Sequence, residues 1–229
     1  MGTIMTIWEW FSDPANWLGP TGIWQRVLEQ LSMTLAAVAI AAAIALPMGI
    51  AAGHAQRFGS LVTNLANLGR AIPTFALLLL FASIGVIGVG FMAALLALIL
   101  FALPPIVTNA YTGISAVDPG VRRAGRAMGM SGRQLLWMIE IPLASGLIAA
   151  GLRTAVVQTT ATATLAAFVG GGGLGRLILD GFGLQNQTMV LAGVICVAVL
   201  TASMEAIMAV IQRLAQPAGL RQWHLQLAS

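Results

Sequence analysis

The side chains able to do covalent or acid–base chemistry are few and widely spaced in this chain. Its two histidines, His54 and His224, its one cysteine, Cys196, and its seven carboxylates form no cluster that would give a nucleophile its base or a metal its ligands. Ser131 stands beside Gly132 in a polar loop with no neighbouring base. A membrane-embedded protease or lipid-modifying transferase needs such groups at depth, so neither reading is supported. The chain is expected to be no enzyme and to bind no cofactor or metal of its own. Its polar residues are instead concentrated for recognition. Val121–Pro142, VRRAGRAMGMSGRQLLWMIEIP, holds four of the eleven arginines in a sequence only 8% charged. So long a polar loop in so apolar a chain points to a partner that docks on it.

The elements that must position this loop are membrane helices. With 229 residues, 59% of them hydrophobic, and a mean hydropathy of +0.91, the chain has far more apolar surface than a core of this size can hide. Leu31–Ala52 and Ala71–Val117 contain no Asp, Glu, Lys or Arg. The second run, about 47 residues, suffices for two helices of about 20 residues with a turn at Gly85–Gly90. Five spans are expected, near 29–53, 71–87, 90–112, 143–168 and 188–212, in one permeation domain covering 1–229. The fold class is therefore all-α and polytopic. With the N-terminus outside, Arg57, Arg70, Arg122, Arg123, Arg126, Arg133, Arg213 and Arg221 lie on the cytoplasmic side and only Arg26 and Arg176 lie outside, the bias that the positive-inside rule requires. The first residues lack the basic start and small-residue cleavage site of a signal peptide. Met1–Trp24, with Trp8, Trp10, Trp17 and Trp24, reads as an external interfacial segment. No basic run is interleaved with aromatics, so nucleic acid is not an expected partner.

The loop has its own helix punctuation. Asp118-Pro119 places a capping carboxylate before a proline at the first helical position, predicting a helix through Arg126 that stops near Gly129. Ser131 and Gln134 have capping-box spacing and predict a second short helix carrying Leu135, Leu136, Trp137 and Ile139, with Pro142 at its end or at a bend into the fourth span. Two short helices separated by glycine make a cytoplasmic knob. The glycine run Gly170–Gly175 lacks the Lys-Ser/Thr of a phosphate loop and lies on the outer side. It reads as a tight, flexible turn into a short amphipathic helix with Leu174, Leu177 and Ile178.

Within the spans, Gln158, Thr160 and Thr164 make the fourth unusually polar, with the two threonines one turn apart. They either line part of a solute pathway or return their hydroxyls to their own helix carbonyls. Arg153 lies about 15 Å into that span at the rise of an α-helix. Glu205 enters the fifth span from the same side, and the two are expected to form an intramembrane ion pair, since a lone charge at that depth is costly.

The loop resembles the cytoplasmic motif of ABC-importer permeases: Glu-Ala-Ala, three residues, Gly, nine residues, Ile-x-Leu-Pro. Aligned on Gly129, this chain has Ala124 and Gly125 at the two alanines and Ile139, Ile141 and Pro142 at the end, with Arg123 where the motif has glutamate. The stretch AGLRTAVVQTTATATLAAFVGGGGLG is similar to permeases for glycine betaine, carnitine and choline. The resemblance implies a transport subunit of a bacterial plasma membrane, N-terminus outside and C-terminus cytoplasmic. It further implies two ATPase copies docking on about 118–142 through Asp118, Arg122, Arg123, Ala124, Gly125, Arg126, Gly129, Ser131, Ile139, Ile141 and Pro142. ATP would be bound on those subunits, a second permease chain, identical or paralogous, would complete the pathway, and an extracytoplasmic solute-binding protein would deliver the solute. An importer for another small solute such as methionine shares the motif. A channel or assembly factor would account for the spans and leave the loop unexplained.

Overall fold

The computed structural model describes residues 2–57, 59, 62, 64 and 73–215, with side chains from Ile7 onward. Most of the expected polar loop 54–70, Arg70 among it, the first residues of the second span, and the tail with Arg221 and His224 lie outside the described residues. Regular structure among the described residues is entirely helical. The elements are α1 (Gly2–Ser12), a 3-10 turn (Pro14–Asn16), α2 (Ile23–His54), α3 (Thr74–Ser83), α4 (Phe91–Ser115) and α5 (Pro119–Ala127). There follow α6 (Gly132–Leu135), a π-turn (Leu136–Glu140), α7 (Ile141–Thr162), a 3-10 segment (Ala163–Val169), α8 (Gly175–Gly183) and α9 (Gln187–Ala215).

Four helical stretches are long and apolar enough to cross a membrane: Ile23–His54, Phe91–Ser115, Gly132–Val169 and Gln187–Ala215. The expected second span is shorter than its apolar run. Its helix, α3, has 10 residues, about 15 Å against a hydrocarbon core of about 30 Å. Pro73 sits at its N-cap, and beyond Ser83 the chain turns through Gly88 and Gly90, both at positive φ, so the local chemistry shortens the helix at both ends. Prolines inside the long helices do not break them: α2 runs through Pro47 and α4 through Pro104 and Pro105. In the loop, α5 and α6 are two short helices on either side of Gly129. From Gly132 the chain stays helical through the π-turn into α7, so Pro142 stands at the entry to the long helix, the second of the two placements expected for it.

By contacts the chain divides into two compact units. One comprises Met1–Ile40, Ile72–Ala102 and Val156–Glu205; the other comprises Ala41–Ala71, Leu103–Ala155 and Ala206–Ser229. In the first, Ile23, Leu174 and Leu177 form a buried cluster against which Trp10, Phe11, Trp17 and Cys196 pack. Phe11 and Trp17 lie 6.1 Å apart by ring centroid, and the Trp17 indole donates to Phe11 O at 2.7 Å. The N-terminal tryptophans therefore split. Trp10 and Trp17 pack inward, while Trp8 and Trp24 stay 75% and 58% exposed, the placement that suits indole rings at a headgroup layer.

In the second unit, missing side chains let helices approach closely. A methyl at Gly49 would stand 2.6 Å from Val107 O, one at Gly53 2.7 Å from Ile114 Cβ, and one at Gly151 2.7 Å from Asn109 Cβ. Small residues of α2 and α7 thus seat both helices on α4, the packing by which apolar helices associate where no hydrophobic force separates protein from lipid.

Candidate functional site

The loop 118–142 is built by capping at both of its helices. Asp118 accepts from Gly120 N–H and Pro119 opens α5. The helix ends where Met130 N–H donates to Gly125 O at 3.2 Å around Gly129 at φ +83, a left-handed closure that a side chain would strain. Ser131 and Gln134 then form the full capping box: Ser131 N–H donates to Gln134 Oε1 at 2.8 Å, and Gln134 N–H to Ser131 Oγ at 3.3 Å.

This punctuation divides α5 into two faces. Gly125 is buried against α6 and the π-turn, where a methyl would stand 2.9 Å from Leu135 Cδ1 and 3.2 Å from Ile139 Cδ1. Glycine at the motif's second alanine thus brings α5 into contact. Arg122 shares the buried face. Arg123, Ala124 and Arg126 point outward, as do Ser131, Arg133 and Pro142, while Ile139 and Ile141 are half-buried. Met128, Trp137 and Met138 are 74%, 62% and 67% exposed; Trp137 and Met138 line a shallow hollow with Ser131, Arg133 and Gln134. The outward face therefore combines apolar anchors with arginines, a composition suited to binding protein.

Beneath it lies a residue that the sequence reading passed over. Glu140, in the π-turn, is 1% exposed. Arg122 Nε lies 3.1 Å from its Oε1, an ion contact without the alignment of a hydrogen bond. His54 Nδ1, at the end of α2, lies at hydrogen-bond distance from its Oε2, 2.5 Å. Arg122 Nη2 also donates to Ile114 O near the end of α4. The π-turn itself follows from Pro142. A proline ring crowds the carbonyl four residues back, and here Ile141 N–H reaches Leu136 O, five residues back. The available signal was a single carboxylate between Ile139 and Ile141 at the head of an apolar run, which has to be paired if it is buried.

A second polar assembly lies in the other unit, around the glycine run. Gly170, Gly172 and Gly173 all have positive φ. Gly173 N–H donates to Glu29 Oε2 at 2.8 Å and Leu174 N–H to the fully buried Gln30 Oε1 at 2.9 Å. Gln30 Nε2 donates in turn to Thr160 O at 2.8 Å and Thr164 Oγ1 at 3.3 Å. Arg26 pairs with Glu29 at 2.9 Å. The run is thus a turn bonded to Glu29 and Gln30 of α2, and it leads into α8. The polar residues of α7 and the 3-10 segment after it separate accordingly: Thr160 is fully buried and donates to Val156 O at 2.7 Å, Thr164 of the 3-10 segment is engaged by Gln30, and Gln158 is exposed. Arg153 donates to Gln212 Oε1 at 2.9 Å, a neighbour that the sequence reading did not name.

Long apolar helices joined by a capped, basic, aromatic-bearing loop define a multi-pass membrane protein with a surface for a partner. Residues 43–216 match the family described as binding-protein-dependent transport system inner membrane component, and the chain belongs to that family. It is a transport permease of an inner membrane, in a family that is not one of enzymes and that works with a separate ATPase. Among similar proteins, the glycine betaine/carnitine/choline transport system permease protein OpuCB of Bacillus subtilis (strain 168) is 35% identical over 193 residues, covering 84% of this chain and 88% of that one. The carnitine transport permease protein OpuCD of Listeria monocytogenes serotype 1/2a (strain 10403S) is 38% identical over 186 residues, 81% of this chain and 82% of that one. In fold, the chain is similar to a chain of the MetNI methionine ABC transporter in an inward-facing conformation, with a TM-score of 0.75 and 23% identity over 90% of this chain and 100% of that one.

Proposed function

We propose that this permease carries a quaternary-ammonium osmoprotectant, such as glycine betaine, choline or carnitine, through a pathway it forms with a second permease chain. Two ATPase subunits grip the loop at 118–142 from the cytoplasm, and an extracytoplasmic binding protein delivers the solute to the outer face. The N-terminus lies outside and the C-terminus inside. The observation carrying the solute class is the 35% identity, over most of both chains, to a relative named for these three solutes. ATP closes the ATPase pair, draws the two loops together and so favours one of two permease conformations; hydrolysis releases it. Exposed Gln158 faces the pathway, with Thr160 and Thr164 shaping the wall behind it, and Arg153 and Glu205 form an ion pair that steadies the helices. The methionine reading rests on the shared loop motif and on fold likeness.

The test is to purify the chain with its native partners, reconstitute it in liposomes and measure ATP-driven uptake of radiolabelled glycine betaine, choline, carnitine and methionine. Uptake of one of the first three, dependent on binding protein and ATP, is expected. Uptake of methionine alone, or no co-purifying ATPase after crosslinking at the loop, overturns the assignment. For the ion pair, reversing charge at both Arg153 and Glu205 should restore assembly lost by either reversal alone; failure to restore it removes the pair.

A further inference from the structure

Glu140 is a buried ionisable group for which the transport reading supplies no role. It does not face the outward docking surface, because it is 1% exposed. Its position is nevertheless central within its unit. One carboxylate oxygen meets Arg122 of α5 at 3.1 Å, and the other meets His54, the last residue of α2, at 2.5 Å. Arg122 in turn holds Ile114 O, near the end of α4. Glu140 itself sits in the π-turn that leads into α7. One carboxylate thus ties the basic helix of the loop to the ends of three long helices.

The surrounding packing points the same way. His54 Nε2 lies on the Gly132 side, where a methyl would come within 3.5 Å, so the ring wedges between the start of α6 and the carboxylate. Gly125 lets α5 close over Leu135 and Ile139 from the other side. The π-turn matters because a wider turn rotates the residues that follow it relative to a regular helix. Such turns recur where a side chain must be aimed, and here the aimed side chain is Glu140.

We infer that Glu140 is a positioning residue for energy coupling: it holds the ATPase-gripped loop rigidly to α2, α4 and α7, so that movement of the loop moves the three helix ends together. The inference rests on the proposed docking of an ATPase at 118–142. Removing the negative charge should leave the loop's outward face, and hence binding of the ATPase, in place. It should loosen the connection between that face and the helices.

The experiment uses the reconstituted complex with binding protein and the solute the wild-type chain is found to carry. Failure of the wild-type chain to take up solute would count against the transport reading and not against Glu140. With uptake established, E140Q is compared with wild type for complex assembly, ATP hydrolysis and solute uptake. The expected result is an assembled complex whose hydrolysis persists while uptake per ATP falls about tenfold, within the range for residues that carry coupling between sites. An unchanged ratio of uptake to hydrolysis overturns the inference, as does a loss of uptake that merely tracks a loss of assembly. Should E140Q fail to accumulate, the E140Q/R122M double variant removes both buried charges. Recovered abundance with the ATPase still bound and poor coupling supports the positioning role, whereas a loss of bound ATPase assigns the defect to docking and overturns it. Recovered abundance with full coupling shows that Glu140 only neutralises Arg122, and the inference falls.

Discussion

The two polar assemblies, one around Glu140 and one around the glycine run, hold a loop to helices by different means. At Glu140 the partners are side chains, and full charges are buried together. At Gly170–Gly173 one partner is the backbone itself: amide hydrogens of Gly173 and Leu174 are received by Glu29 and Gln30. A charge network depends on charge balance and tolerates changes that keep it. A backbone network depends on shape, and fails when any side chain is added. The two sites should therefore respond in opposite ways to neutralisation and to bulk.

The largest effect is expected from unbalancing the buried charges. Arg122→Met leaves Glu140 buried without its guanidinium and should destabilise the protein by about 3–5 kcal/mol, read as the thermal midpoint of the purified chain in detergent. Arg122→Met combined with Glu140→Leu should recover most of that loss; no recovery would mean that the site is specified by shape after all. Next comes added bulk at the other assembly. A methyl at Gly175 would stand 2.0 Å from Thr164 O, so Gly175→Ala should cost about 1–3 kcal/mol in the same measurement. Gln30→Leu keeps the volume but strands the buried Leu174 amide, with an expected loss of about 1–3 kcal/mol. The smallest change is Glu29→Gln. The neutral amide still accepts from Gly173 N–H, and only the ion pair with Arg26 is lost, so about 0.5 kcal/mol is expected. A large loss there would erase the distinction between the two sites.

What could be read from the sequence was what is decided locally. Asp118-Pro119, Gly129 and the Ser131–Gln134 box act within a few residues of one another, and each forms as its residue types require. The long apolar runs likewise announce helices, because composition alone decides whether a segment suits a bilayer. The ends of α3 were harder, since an apolar run does not show where its helix stops. Gln30 and Glu140 were missed because their partners are distant: Gln30 bonds across 130 residues to Thr160 O, and Glu140 across 86 to His54. No spacing rule reaches that far. Each did carry a faint signal, a strongly polar side chain at the edge of an apolar run with no local partner.

The glycine run also constrains how this chain can change over generations. Every single-base change that replaces a glycine either inserts a residue bearing a Cβ or ends the chain. At Gly172 that carbon would meet Glu29 Oε2 at 2.6 Å, at Gly173 Gln30 Oε1 at 2.9 Å, and at Gly171 Ala166 and Ala94 at 3.0 Å, while Gly170 holds a backbone angle that L-residues avoid. The segment thus has no neutral neighbours in sequence space. Lineages can vary the helices on either side of it, but the loop should pass between them unaltered, or change only together with the residues that hold it.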